Sequence, residues 1–92
     1  MNVDWDPAKN RANQRKHRIS FHVAQRVFHD PNRIDGYDDR EYGEERWIVI
    51  GMVGSVILYV IYTLTDGDIR LISARKAAPL EQAWYLSATA WR

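Results

Sequence analysis

Residues 69–76, Ile-Arg-Leu-Ile-Ser-Ala-Arg-Lys, set three cations, Arg70, Arg75 and Lys76, in or beside a run that is otherwise apolar and strand-like. A guanidinium in a strand gives up easy burial, so it usually has an anionic partner or a planar anion to hold. Phosphate is the candidate anion. A second cationic group lies upstream: Lys9, Arg11, Arg15, Lys16, His17 and Arg18 occupy six of ten positions with no acid among them. Lys and Arg near a helix C-terminus complement its dipole, which accounts for Arg15 and Lys16 but not for the whole run. His17 closes it. Imidazole titrates near neutrality, and neighbouring cations lower its pKa and favour the neutral form able to act as a base. A helix cap or a hydrogen-bonded spacer is the plainer role for that histidine.

A third group is Glu44-Glu45-Arg46-Trp47, entering a strand. A carboxylate beside an arginine is either a simple charge pair or a general base next to a phosphate-binding cation. Tyr62 lies near the end of an adjacent strand and could line the same surface as Arg70. Strict alternation puts Arg70 on the face of Ile72 and Ala74, and Arg75 on the opposite one. The two arginines therefore share a site only through a bulge or a strand end. His22 and His29 match no common helical metal pair, so no metal site and no cofactor is expected.

These groups need elements to hold them. Asp4 or Asp6 can cap a helix that begins at Pro7 and runs to about Lys16, with a thin apolar face of Ala8 and Ala12 flanked by Trp5 and Ile19. Ser20 caps a second short helix in which Phe21, Ala24, Val27 and Phe28 recur at helical spacing, and Pro31 stops it. Residues 32–45 read as an irregular or weakly stranded connection. The eighteen residues from Trp47 to Leu64 are all uncharged, long enough to raise a membrane span. Gly51, Gly54 and Ser55 divide them, and Val, Ile and Tyr dominate, which favours strands. Thr65-Asp-Gly-Asp68 is a tight-turn signal.

The reading is three strands, about 46–52, 56–64 and 68–75, in an antiparallel meander, with a fourth possible near 33–38. Residues 56–64 are apolar on both faces and take the centre. Pro79 opens a last helix whose stripe of Leu80, Trp84, Ala88 and Trp91 should pack on the sheet. The class is α+β: two N-terminal helices, a three- to four-stranded meander and a C-terminal helix, in one domain over residues 1–92.

Ninety-two residues with 46% hydrophobic content, four Trp and five Tyr supply a core and argue against disorder. There is no cysteine, so disulfides, thiolate nucleophiles and Cys-based zinc sites are excluded. That composition, with an N-terminus unlike a signal peptide, suits the cytoplasm. The net charge of +1 hides an asymmetry, because residues 35–45 hold six acids against Arg40 alone. The remainder carries a surplus of six positive charges, enough for a polyanion.

The string from Trp5-Asp-Pro-Ala-Lys9 through Lys16-His17-Arg-Ile19-Ser-Phe21 resembles the opening of the BrnT family of type II toxins. Glu45-Arg46-Trp47 leading to Ile50-Gly51, and Ile69-Arg70-Leu-Ile-Ser73-Ala-Arg75-Lys76 with Glu81 and Tyr85 beyond, resemble it too. The likeness covers essentially the whole chain with its motifs in order. It implies a RelE-like ribonuclease fold, a chain that cleaves RNA and halts translation. It also implies a BrnA-type antitoxin with a ribbon-helix-helix DNA-binding domain, through which alone the toxin would meet operator DNA. By resemblance the catalytic candidates are Lys16, His17, Glu45, Arg46, Arg70 and Arg75. Lys9, Arg11, Arg15, Tyr62 and Lys76 would grip RNA. The last helix carries Gln82, Ala83 and Trp84 where arginines are expected, and Ala78 stands in place of a Thr cap.

The expected chemistry is metal-independent RNA cleavage. Glu45 or His17 takes the proton of the ribose 2′-hydroxyl, an arginine stabilises the phosphorane, and Lys16 or His17 protonates the leaving oxygen. The alternatives are a non-catalytic RNA-binding module and a pure antitoxin-binding module. A partner is expected on separate grounds, since a small sheet and a thinly apolar first helix leave edges and grooves open.

Overall fold

A computed structural model describes residues 2–38 and 43–90. In chain order the elements are β1 (Val3–Asp4), α1 (Pro7–His17), α2 (Phe21–Ala24) with a 3-10 turn over Gln25–His29, then β2 (Ile34–Asp38), β3 (Arg46–Val53), β4 (Val56–Thr65), β5 (Asp68–Lys76) and α3 (Pro79–Thr89). The five strands form one sheet in the order β1-β5-β4-β3-β2. The expected meander is there as β2 to β5, with β4 in the middle. One feature was not expected: β1 pairs parallel to the start of β5, Val3 with Ile69 and Asp4 with Arg70, which makes the sheet mixed. Two residues are too few for a period-two signal, so nothing local marks them as a strand.

The uncharged stretch is resolved as two strands and their turn, where Gly54 takes φ 61°. Among the described residues no helix is long and apolar enough to cross a membrane. The Asp66-Gly67 turn has positive φ at both central residues, 52° and 84°, as the right-handed strand twist requires of a two-residue hairpin loop. Gly51 serves packing instead: a Cβ there would stand 2.5 Å from Val27 Cγ2, so the 3-10 turn can approach β3 only over a glycine.

The sheet has two unlike faces. On the covered face Val49, Leu58, Val60, Leu71 and Ala74 meet Ile19, Phe21, Ala24 and Val27 from the helical segments, forming the main core. On the other, open face a smaller cluster of Ile50, Ala77 and Tyr85 lies under α3. The second helical segment follows expectation, with Ser20 accepting from the Val23 N–H at 3.1 Å and Phe21, Ala24 and Val27 buried.

The outer helices depart from it. Ala8 and Ala12 are exposed, and α1 docks through Asn13, which is 6% exposed. Its amide accepts from the Ala74 N–H at 3.0 Å and donates to the Ala74 carbonyl at 2.8 Å and the Ile19 carbonyl at 2.9 Å. One side chain thus satisfies the open edge of β5 as another strand would. The expected stripe of α3 does not pack either: Leu80 is 62% and Trp84 52% exposed, and Tyr85 is the buried residue. Trp91 lies outside the described residues. A carboxylate explains the rotation, because Asp30 Oδ2 accepts from the Tyr85 hydroxyl at 2.5 Å and from the Met52 N–H at 2.7 Å.

Asn13→Ala strips three backbone groups of their partner at once. Buried polar groups left without partners cost about 1–3 kcal/mol each, some of it recovered here by water at the edge. The expected result is a loss of roughly 2–4 kcal/mol, seen in thermal unfolding as a drop in Tm of about 10 °C or more. A Tm within 3 °C of the wild type would show that the clamp is not needed.

Candidate active site on the open sheet face

The register decides where the arginines point. Arg70 stands opposite Thr63, Ser73 opposite Ile61 and Arg75 opposite Tyr59, while Leu71 is opposite Tyr62. Ile72 has no partner of its own. It is the extra residue of a β-bulge, and it reverses the alternation between Arg70 and Arg75. Both therefore project from the open face with Ser73 between them. On β3, Arg46 lies one step beyond the Trp47–Tyr62 pair, level with Thr63 and opposite Asp38 of β2. Asp38, Arg46, Thr63, Arg70 and Asp4 thus make one row across the sheet. Two strand spacings put the Arg46 and Arg70 Cα atoms about 10 Å apart. Four residues along β4 separate the Arg70 and Arg75 rows by about 13 Å. The floor between them is Ile48, Ile61 and Ser73.

Each guanidinium has a carboxylate, and the three pairs differ. Arg70 meets Asp4 at 3.2 Å with side chains 47% and 61% exposed, and Arg46 meets Glu44 at 3.5 Å with 21% and 51%. The exposed Arg70 pair is worth about 0–1 kcal/mol, so an incoming phosphate can displace its carboxylate, whereas Arg46 is the more enclosed cation and only its partner Glu44 is exposed. Arg75 is held more firmly. Its Nη1 and Nη2 donate to Glu81 Oε1 and Oε2 at 2.7 and 2.8 Å, and its guanidinium lies 4.1 Å from the Tyr59 ring centroid. Glu81 Oε1 also accepts from the Ala78 N–H at 2.7 Å, half of a capping box that starts α3 without a Thr. The Arg75 hydrogen bonds hold the Glu81 carboxyl below its ordinary value of 4.5, so Glu81 orients Arg75 and makes a poor base. The signal for this role was present as an acid in the first turn after Pro79.

The cationic run of α1 divides by helical phase. Lys9, Lys16 and His17 lie on the Asn13 side and, with Ile72, line a shallow depression of about 230 Å³ at the edge of β5. Burial, then Lys16, then Arg75 depress the His17 pKa below 6.5, so the imidazole is neutral at pH 7. Arg11 and Arg15 belong to the opposite side of the helix, where they share a separate concavity with Gln14 and Arg18. Tyr62 is 7% exposed on the covered face, its ring 5.3 Å from Phe28 and edge-on. Burial raises its pKa, and it is a core residue on the face opposite Arg46, Arg70 and Arg75. Lys76 pairs with Leu58, which puts it on that same covered side, exposed at the strand end. Glu45 is exposed one residue before β3, and its neighbour Glu44 is the one that pairs with Arg46. The geometry thus gathers Arg46, Arg70 and Arg75 on one face with Lys9, Lys16 and His17 at its edge, and leaves Arg11, Arg15, Tyr62 and Lys76 elsewhere. Asp39 and Glu41 of the acidic cluster lie outside the described residues.

Residues 5–81 match the family described as the ribonuclease toxin BrnT of type II toxin-antitoxin systems. The chain belongs to the BrnT family. The match takes in all of α1, the four-stranded meander and Glu81, that is, every element that supplies the open-face cations. No curated protein matches the chain. Membership in BrnT makes the protein a toxin component with a protein antitoxin as partner, and makes RNA the polyanion to weigh against these cations.

Glu81→Gln keeps the acceptor for the Ala78 N–H but removes the charge that orients Arg75. A carboxyl depressed on folding contributes stability that is complete above its ordinary value and is lost as pH falls through the folded one. The variant is expected to be about 1–2 kcal/mol less stable at pH 7, with the gap shrinking below pH 4.5. Urea unfolding at pH 7 and pH 3 tests it; an equal gap at both would rule out the ion pair as the cause.

Proposed function

We propose that this BrnT chain is a metal-independent endoribonuclease whose substrate lies across the open sheet face. The observation that carries the reading is the shared face of Arg46, Arg70 and Arg75, set by the Ile72 bulge, in a family of ribonuclease toxins. Arg70 and Arg46 take the phosphates by releasing exposed carboxylates. Arg75, fixed by Glu81 and Tyr59, stabilises the charge that builds on the phosphorane, where an oriented donor is worth about 3–4 kcal/mol. His17 is the better base for the 2′-hydroxyl. Its pKa is depressed and it is close enough to feel Arg75, whereas Glu45 is exposed just before β3 and the carboxylate that pairs with Arg46 is that of Glu44. Lys16 then protonates the leaving oxygen from the same edge. Cleavage of this kind inhibits translation in the cytoplasm. A BrnA-type antitoxin with a ribbon-helix-helix domain neutralises it and supplies the contact with operator DNA.

A second reading is a non-catalytic grip on RNA, favoured by one specific feature: each of the three arginines already has a carboxylate partner. Purified protein incubated with single-stranded RNA in EDTA separates the two. Cleavage is expected to persist in EDTA, to spare DNA of the same sequence, and to stop at a site whose 2′-hydroxyl is removed. Arg70→Ala and Arg75→Ala are each expected to lower the rate by about 10²–10³-fold. RNA bound with a steep salt dependence but left intact would establish the non-catalytic reading.

The pH profile tests the base. With His17 acting in its neutral form, kcat/KM rises with pH through a value below 6.5 and is flat across neutrality. His17→Gln is expected to abolish that rise and to cost about 10²–10⁴-fold. An unchanged profile would return the role to Glu45.

A further inference from the structure

Beside the arginines the open face holds a narrow apolar slot of about 200 Å³. Ile34, Ile48 and Ile50 form its floor with Tyr59, Trp84 of α3 walls one side, and Gly36 of β2 lies at the other. Asp35 borders the slot along β2, but it stands opposite Val49, which turns its carboxylate to the covered face.

Two features of the slot leave it open to a ligand. Trp84 keeps 52% of its surface exposed although apolar side chains stand beside it. Gly36 interrupts a strand where glycine serves neither backbone nor packing: its φ is not positive, and a Cβ there would meet nothing within 4 Å. A strand glycine of that kind often marks the close approach of a ligand. The slot is also continuous with the cations, because Tyr59 lines it and carries the Arg75 guanidinium on its ring. Stable protein partners bury about 1,000 Å² or more, so a slot this narrow suits a single flat ring better than a partner's side.

We infer that the slot is a nucleobase subsite, in which one unstacked base of single-stranded RNA packs against Trp84 and Tyr59 over the isoleucine floor while its phosphate meets Arg75. Sequence-selective RNA recognition works on splayed-out bases stacked on aromatic rings, which places this slot, and not the arginines, in charge of base preference. The inference rests on the RNA reading proposed above.

The test is fluorescence anisotropy with a short labelled single-stranded RNA in which every ribose is 2′-O-methylated, so that it binds without being cut, read over a range of salt concentrations. Trp84→Ala and Gly36→Val are each expected to weaken binding by about tenfold, as loss of one stacked base does. The slope of affinity against salt stays unchanged, because no phosphate contact is lost. An oligonucleotide carrying one abasic position binds the wild type more weakly and the variants no more weakly still. Gly36→Val adds a β-branched residue in open space, so its fold is expected to survive, and Trp84→Phe should restore most of the loss. Variants that bind the intact oligonucleotide as tightly as the wild type overturn the subsite, and they do so more sharply if they no longer hold the antitoxin, since the slot then serves a protein. A wild type that binds no RNA overturns this inference together with the ribonuclease reading. Loss of binding in Arg70→Ala but not in Trp84→Ala overturns the subsite alone.

Discussion

One extra residue in β5 determines the character of the open face. Side chains alternate along a strand with period two, so Arg70 and Arg75, five apart, belong on opposite sides of an unbroken sheet. Ile72 adds a residue that β4 does not answer, and the phase resets between Leu71 and Ser73. Arg70, Ser73 and Arg75 then share a face, while Leu71 and Ala74 share the covered one as core residues. The displaced Ile72 is not wasted. It lies half-buried beside Lys9, Lys16 and His17, where α1 crosses the strand edge, and two residues further on Asn13 clamps that edge at Ala74. Bulge and clamp together bring the cations of a helix and of a strand to one border.

The two sheet faces do different physical work. The covered face buries the larger share of apolar side chains against α1, α2 and the 3-10 turn, with Phe21, Val27, Val49, Val60 and Leu71 fully enclosed. Burial of that kind is the main term in stability, at about 25 cal/mol per Å² of apolar area removed from water. The open face has only a small cluster beneath α3, and polar contacts carry the helix there: Tyr85 to Asp30, Glu81 to Arg75, and Gln82 to the Ala77 carbonyl at 2.9 Å. Because directional bonds set the rotation of α3, its apolar residues are not free to turn inward. Leu80, Trp84 and Leu86 stay in water.

Electrostatics then grades the arginines by the exposure of their carboxylate partners. Arg70 and Arg46 both pair with exposed carboxylates, and at the half-exposed Arg70 solvent screens the pair, so the net interaction there is small and exchange for another anion is easy. Arg75 has a bidentate partner that is only 13% exposed and an aromatic ring beneath its guanidinium. Its direction is set before any ligand arrives, and a preoriented charge is what a developing negative charge requires. A loosely held Arg70 and a fixed Arg75 suit binding and transition-state stabilisation respectively.

Much of this architecture was legible from local pattern. Pro7 with Asp4 or Asp6 before it, and Ser20, mark helix starts by capping chemistry, Asp6 being the cap that forms; the Asp66-Gly67 pair marks a hairpin, and the even apolarity of residues 56–64 marks the central strand. The cationic residues and the family likeness point to a phosphate ligand without reference to the fold. Those signals survive because they depend on neighbours within a few positions. Three things required the assembled sheet: the parallel β1, the amide clamp of Asn13 on Ala74 across sixty-one positions, and the faces on which Arg75 and Tyr62 emerge. The same is true of α3, whose stripe suggested one buried side while a carboxylate at Asp30 selected another. Sequence alone specified which groups this protein owns and the elements that bear them. The tertiary structure alone decided which of them meet, because register, a one-residue bulge and long-range hydrogen bonds are properties of paired strands and not of any single segment.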